Sequence, residues 1–264
     1  PVDVREVTVH FIGAGPGAPD LLTLRAQKLI AHCPVCLYAG ALVPPEILAH
    51  APAHARVVDT QALTLDEIVA ALREAHELGQ DATRLHSGDL SIFSAAAEQM
   101  RRLDELGIPW DVTPGVPAFA AAAAALKREL TIPGVAQTVI LTRYGRQASK
   151  MPSGEDLDSL AEHRTTLVVH LGAQAMEEIV ATLSPHYGAD CPAAVVARAS
   201  LPDEVVLTGT LQTIAGQTHA AGVKRTATIL VGPALAADGL RESHGLRESH
   251  LYSRERERER PTSA

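Results

Sequence analysis

The residues with chemistry to offer cluster at turns that follow apolar runs. Val9-His10-Phe11-Ile12 runs into Gly13-Ala14-Gly15-Pro16-Gly17, and Ala18-Pro19-Asp20 leads into a helical pattern from Leu21 to Ala31. A buried strand, a backbone-exposing turn and a helix capped by Asp20 would frame a ligand at a strand end. Further turns follow at Leu85-His86-Ser87-Gly88-Asp89-Leu90-Ser91-Ile92-Phe93, at Thr113-Pro114-Gly115-Val116-Pro117-Ala118-Phe119 and at His170-Leu171-Gly172. Their order is that expected around one cleft. Glycines in such turns let backbone donors and acceptors come close to a ligand. This is a chemistry of binding and alignment. No covalent nucleophile, metal site or triad stands out. His86 and His170 are the turn-associated bases, each read as structural before catalytic.

A dinucleotide is the first ligand to test. Gly13, Gly15 and Ala18 match the G-x-G-x-x-G/A spacing, but Pro16 has no N–H to offer a pyrophosphate and Pro19 interrupts the turn. The fingerprint also needs an acid about 20 residues on, at the end of the second strand. That strand is Val35-Cys36-Leu37-Tyr38, followed by Ala39-Gly40-Ala41, and the next acid is Glu46. The same absence counts against an ordinary Rossmann methyltransferase. A NAD-binding oxidoreductase is therefore disfavoured.

Composition narrows the partners. Only 3% of the 264 residues are aromatic and the net charge is -8, which argues against a nucleic-acid partner. No apolar run reaches the length of a membrane span, and the start lacks the layout of a signal peptide. Three cysteines are too few for a disulfide scaffold and fit a reducing cytoplasm. Cys33 and Cys36 have CxxC spacing but sit where a helix ends and a strand begins. They and the distant Cys191 are read as buried structural residues, and no metal site is expected.

These turns need elements to position them. Strands are expected near 7–12, 35–38, 55–58, 82–86 and 109–112, with helices near 20–32, 64–79 and 92–107. This is βαβ rhythm, hence a mostly parallel sheet in an N-terminal α/β domain over 1–115. Beyond a small-residue helix at Ala118–Leu126, strands are expected at Thr138–Thr142, Thr166–Leu171, Ala193–Ala197, Val205–Thr208 and Thr226–Val231. Some lie close in sequence, which predicts hairpins and a mixed sheet in a second α/β domain over 116–237. The fold class is thus α/β, with two domains and a cleft between them. Residues 238–264 repeat Gly-Leu-Arg-Glu-Ser-His and then alternate Arg with Glu. Such low complexity cannot bury a core.

Several of these elements together resemble the tetrapyrrole (corrin/porphyrin) methylase family over roughly residues 7–233. They are Val9–Gly17 with Asp20-Leu-Leu-Thr23, Gly88-Asp89 with Ile92-Phe93, Pro114-Gly115-Val116, Thr166–Gly172 and Pro192–Ser200. Each is weak alone, but their order is specific. Ser87-Gly88-Asp89-Leu90 stands where the sirohaem branch carries Gly-Gly-Asp-Pro, and Leu171 stands where it carries Met. Cys36–Val43, Leu85–Ile92 and Glu129–Arg143 are similar to the branch that methylates a precorrin at C11 in cobalamin synthesis. Diphthine synthase is a rival within the fold, and uroporphyrinogen III and cobalt-precorrin-4 are rival substrates.

The resemblance implies a methyl donor, S-adenosylmethionine, folded in the interdomain cleft. The matching positions are Pro16, Ser87, Gly88, Asp89, Ile92, Pro117, Ala118, Leu171, Ala199 and Ala227. Asp89 could instead cap the helix that follows it. The substrate would be a tetrapyrrole polycarboxylate. The loop Gly13, Gly15, Gly17 would line its floor, with Arg25, Arg143, Arg146 and Lys150 as cation candidates. A cytoplasmic homodimer without nucleic-acid or membrane partners completes the expectation.

Overall fold

The computed structural model describes residues 6–145 and 150–236. Arg146 and the 238–264 tail lie outside the described residues. Two compact units divide the chain. The first runs to Ala122 and takes back Arg198–Glu204; the second holds Ala123–Ala197 and the chain from Val205 onward.

The apolar runs of the first unit form strands β1 (Val9–Gly13), β2 (Val35–Tyr38), β3 (Arg56–Asp59), β4 (Ala82–His86) and β5 (Trp110–Thr113). They make one parallel, five-stranded sheet in the order β3-β2-β4-β1-β5. Helices α1 (Leu24–His32), α2 (Pro45–Leu48), α3 (Leu65–Glu77) and α4 (Ala96–Glu105) connect them. Side chains alternate between the two faces along each strand. On one face Phe11 and Leu37 pack with Ile68 and Leu72 of α3 and Leu103 of α4. On the other, Ile12, Cys36 and Leu85 pack with Ala26 and Ile30 of α1 and Ile47 of α2. The chain therefore leaves β1 toward one face and β4 toward the other. Because β1 and β4 are neighbours, their carboxyl ends form the switch point at which open α/β sheets hold ligands.

Helix α5 (Ala118–Leu126) follows β5. In the second unit, β6 (Val139–Arg143), β7 (Thr166–His170), β8 (Pro192–Ala197), β9 (Val205–Thr210) and β10 (Ala227–Val231) form a sheet in the order β6-β7-β10-β8-β9. Only β6 and β7 pair in parallel; the other neighbours are antiparallel. The sheet is mixed, as the closely spaced strands predict. Helices α6 (Leu157–Ala161), α7 (Met176–Tyr187) and α8 (Leu211–Ala220) cover it. Ala161, Ile179, Leu183, Leu211 and Ile214 close over Leu167, Val169, Val195 and Ile229. The sequence predicts an α/β domain here but places none of these helices individually.

Two helix starts differ from expectation. Asp20 does not cap α1. Pro19–Leu21 make a short 3-10 turn, Leu22 is extended, and Thr23 is the cap, its hydroxyl accepting from Ala26 N at 3.2 Å. A cap must stand next to the first helical turn to reach its free N–H groups, and Asp20 is held back in the separate turn begun by Pro19. Helix α4 starts at Ala96 rather than near residue 92, because Phe93 and Ala95 have φ of 53° and 54°. A right-handed helix cannot pass through such residues. Among the described residues no helix is long and apolar enough to cross a membrane.

Leu72 is 0% exposed under the parallel sheet. Leu72→Ala should lower unfolding free energy by about 2–5 kcal/mol, read as a shifted denaturant midpoint with an unchanged m-value.

Candidate functional site

At the switch point the backbone of β1 meets the backbone of β4. Gly15 and Gly88 form an antiparallel bridge beyond the strand ends, with Gly15 N donating to Gly88 O at 3.1 Å and Gly88 N to Gly15 O at 2.6 Å. Ala14 N donates to His86 O at 2.7 Å. The approach leaves no room for side chains. A Cβ on Gly13 would stand 2.5 Å from Gly115 N and 2.8 Å from Gly88 O, and one on Gly115 would collide with Gly88 O. Gly88 has φ +69°, and a Cβ there would lie 3.7 Å from Ala118 N and 3.9 Å from Pro117 Cα. The turn chemistry read from the sequence thus converges in space: Gly13, Gly15, Gly88, Gly115, Pro117 and Ala118 form one junction. Ser87 is half-buried beside it.

Asp89 ties the junction together. It does not cap a following helix. Its Oδ2 accepts from Gly115 N at 2.8 Å, and its Oδ1 accepts from Ser91 N at 2.9 Å and from the Ser91 hydroxyl. Partial burial raises its carboxyl, but these hydrogen bonds outweigh burial and hold it below the usual carboxylate range. A charged acceptor here therefore links the end of β4 to the turn after β5.

The loop Gly13–Gly17 is closed from another side by the 198–204 segment. Ala18 N donates to Ser200 Oγ at 3.0 Å, and Leu201 fills the space a side chain at Gly17 would need. Ser200 N donates in turn to Glu204 Oε2 at 2.7 Å, and Arg198 pairs with Asp203 at 2.5 Å. This segment brings the buried Ala199 to the same unit as Gly13–Ala18. Ser200 and Leu201 are contacts that sequence reasoning missed. They lie far along the chain from the loop, so no local signal marks them. The N–H groups of Ala14, Gly15 and Ala18 are all engaged within the protein, a further reason this loop does not cradle a pyrophosphate.

The second unit gathers its own candidates at one end of its sheet. Arg143 stands opposite His170 at the ends of the parallel pair β6 and β7. Antiparallel pairing of β10 with β7 puts the start of β10, Ala227, at that end, and Ala227 pairs with Ala197 at the end of β8. Leu171, just past β7, is 66% exposed. Ile92 of the first unit is half-buried. Arg25 lies exposed in the first turn of α1, and Lys150 is exposed.

Left-handed backbone occurs at several of these positions, though also at Lys127 and Arg164. Left-handed φ occurs at Phe93 (53°), Leu171 (58°), Arg198 (52°), Ser200 (68°) and Thr226 (54°). These residues are, or adjoin, Ile92, Leu171, Ala199 and Ala227. Each such conformation costs about 1–3 kcal/mol and persists where surrounding structure over-determines it, commonly at ligand sites.

The histidines are not exposed bases. Burial, reinforced by the charge of Arg84, pushes His86 down to about 3, and burial lowers His170. His86 is therefore neutral at physiological pH. Cys33 and Cys36 are buried and not in disulfides, and burial pushes the Cys36 thiol up. Among the described residues no cluster of His, Cys, Asp or Glu could hold a metal ion.

The lowered carboxyl of Asp89 stabilises the fold fully above the unfolded value of about 4 and loses that contribution as pH falls through its folded value. Asp89→Asn should cost about 1–3 kcal/mol at pH 7. The gap from wild type should shrink as pH drops below about 4, read by denaturant melts across pH.

Comparison with known proteins accords with this geometry. The Tetrapyrrole (Corrin/Porphyrin) Methylases profile matches residues 8–215. The chain is 60% identical over 252 residues to a precorrin-4 C(11)-methyltransferase of Rhodococcus erythropolis, covering 96% of this chain and 99% of the relative. The X-ray structure of a cobalamin biosynthetic enzyme, cobalt precorrin-4 methyltransferase, superposes with a TM-score of 0.84 at 35% identity, covering 87% of this chain and 96% of that one. A uroporphyrin-III C-methyl transferase from Thermus thermophilus complexed with S-adenosyl homocysteine matches with a TM-score of 0.70 at 29% identity, covering 86% and 93%. The chain belongs to the tetrapyrrole methylase family.

Proposed function

We propose that the protein is a precorrin-4 C(11)-methyltransferase of cobalamin biosynthesis that uses S-adenosylmethionine as methyl donor. The observation that carries this reading is 60% identity to a precorrin-4 enzyme across almost the full length of both chains, against 40% over 229 residues to a cobalt-precorrin-4 enzyme. Support for the donor comes from the family and from the relative complexed with S-adenosyl homocysteine. The junction residues suit such a ligand. Backbone bonds already fix Gly13–Gly15 and Gly88, and the space beside Gly88 Cα opens toward Pro117 and Ala118.

When bound, the donor supplies an activated methyl group to an electron-rich carbon of the macrocycle. The chain's own task is alignment and exclusion of water. In this reading Ser87, Gly88, Asp89, Pro16, Pro117 and Ala118 hold the donor through backbone groups, and Ile92 and Ala199 supply apolar walls. Leu171 and Ala227 of the second unit join this set on the family resemblance. Gly13, Gly15, Gly17, Arg25 and Arg143 serve the substrate, the arginines through its carboxylates. Burial lowers both His86 and His170 from the ordinary histidine value. The reading includes a homodimer in the cytoplasm; cysteines outside disulfides suit a reducing compartment.

The test is incubation with labelled S-adenosylmethionine and a panel of precorrin-4, cobalt-precorrin-4 and uroporphyrinogen III. Label should enter precorrin-4 at C11, and label confined to another substrate would overturn the assignment. Calorimetry should show binding of S-adenosylhomocysteine and none of NAD. Gly88→Val should weaken that binding at least tenfold, about 1.4 kcal/mol, because its methyls would extend over Pro117 and Ala118. Full affinity in a folded Gly88→Val variant would remove Gly88 from the site.

A further inference from the structure

The loop that leaves β1 is fastened at two points, and Pro16 lies between them. On one side Gly15 exchanges two hydrogen bonds with Gly88. On the other, Ala18 N donates to Ser200 Oγ at 3.0 Å. There the Leu201 side chain also takes the space beside Gly17, its Cγ 2.6 Å from where a Cβ would stand. Gly17 is buried and Pro16 half-buried. Pro16 has no N–H, so its carbonyl is the backbone group it can offer. Among the described residues no group donates to that carbonyl. An open acceptor is thus held between two anchors at the end of the sheet where ligands bind.

Ser200 keeps a backbone conformation that a serine does not favour on its own. Arg198 and Ser200 are left-handed at 52° and 68°, and they flank the buried Ala199. Such conformations persist where surrounding contacts over-determine them, and here the contacts are polar. Ser200 N donates to Glu204 Oε2 at 2.7 Å. Leu201 N donates to the Arg198 carbonyl and Glu204 N to the Leu201 carbonyl, each at 3.0 Å. Arg198 pairs with Asp203. Asp203 and Glu204 are exposed, so these contacts shape a loop rather than fill a core. Their product is a serine hydroxyl aimed at Ala18 N.

We propose that Ser200 is a positioning residue: its hydroxyl, held in place by Glu204, anchors Ala18 and so sets the Pro16 carbonyl toward the methyl donor. The inference rests on the cofactor reading above for what Pro16 binds. The anchoring of the loop is independent of it.

Ser200→Gly separates anchoring from stability. Glycine takes a φ of 68° without a Cβ penalty, which offsets the lost bond. The denaturant midpoint should therefore hold while Ala18 N loses its acceptor. Amide exchange of Ala18 in the ligand-free protein should rise at least tenfold, with that of Gly15 and Gly88 as in wild type. Affinity for S-adenosylhomocysteine by calorimetry should fall at least fivefold. Glu204→Leu should move both readouts the same way without touching the hydroxyl. Glu204→Gln, which keeps an amide oxygen for Ser200 N, should restore both. Unchanged Ala18 exchange in Ser200→Gly would overturn the proposal, and so would unchanged affinity with Ala18 loosened. Exchange rising equally across the whole sheet would overturn it too, since that is how a general loss of stability reads. If wild type binds no S-adenosylhomocysteine, the cofactor reading fails, and the exchange comparison still decides whether Ser200 anchors the loop.

Discussion

The close meeting of backbone at the ends of β1 and β4 organises the first unit. Gly15 and Gly88 exchange hydrogen bonds as two short antiparallel arms beyond a parallel sheet. That exchange is compatible only with the strand order, which sets β1 beside β4 and sends their connections to opposite faces. It also requires side-chain-free positions at Gly13 and Gly115, where a Cβ would enter neighbouring backbone. The core below fixes strand spacing through Phe11, Ile12, Leu37 and Leu85. The junction then inherits that precision, because an interior packed at crystal-like density does not deform continuously.

From this junction the surrounding chain is tied in by polar contacts of different kinds. Asp89 recruits the turn after β5 through Gly115 N, and Ser200 accepts from Ala18 N. Each contact is a side chain satisfying a backbone group in a loop. That is what loops need when no ladder supplies their partners. Several left-handed residues, among them Phe93, Leu171 and Ser200, adjoin or are positions that the family resemblance singles out, while Lys127 and Arg164 are left-handed elsewhere.

Such a framework suits methyl transfer to a carbon nucleophile. Donor and acceptor bring the reactivity, and the protein contributes position and dryness. The absence of a titrating histidine at the junction fits that division. His86 is neutral because it is buried beside Arg84.

Much of this was legible in the residue string. The alternation of apolar runs with helical periodicity announced an α/β chain whose first sheet is parallel, and closely spaced strands around Pro202-Asp203 announced the mixed second sheet. These follow from periodicity, which is a local property of sequence. Missing acids after Tyr38 and the prolines at 16 and 19 counted against a dinucleotide by local chemistry alone, and ordered motifs pointed to the family. Helix starts were less legible. Asp20 and Thr23 are both good caps in isolation, and the extended Leu22 between them decides for Thr23. Only tertiary structure could decide that Gly15 pairs with Gly88, that Asp89 serves Gly115 rather than a helix, and that Ser200 reaches Ala18. These partners lie 26 to 182 residues apart, and no propensity or spacing rule acts over that separation. Burial likewise decided the fate of the histidines, since desolvation depends on what the whole fold packs around a side chain and not on its neighbours in sequence.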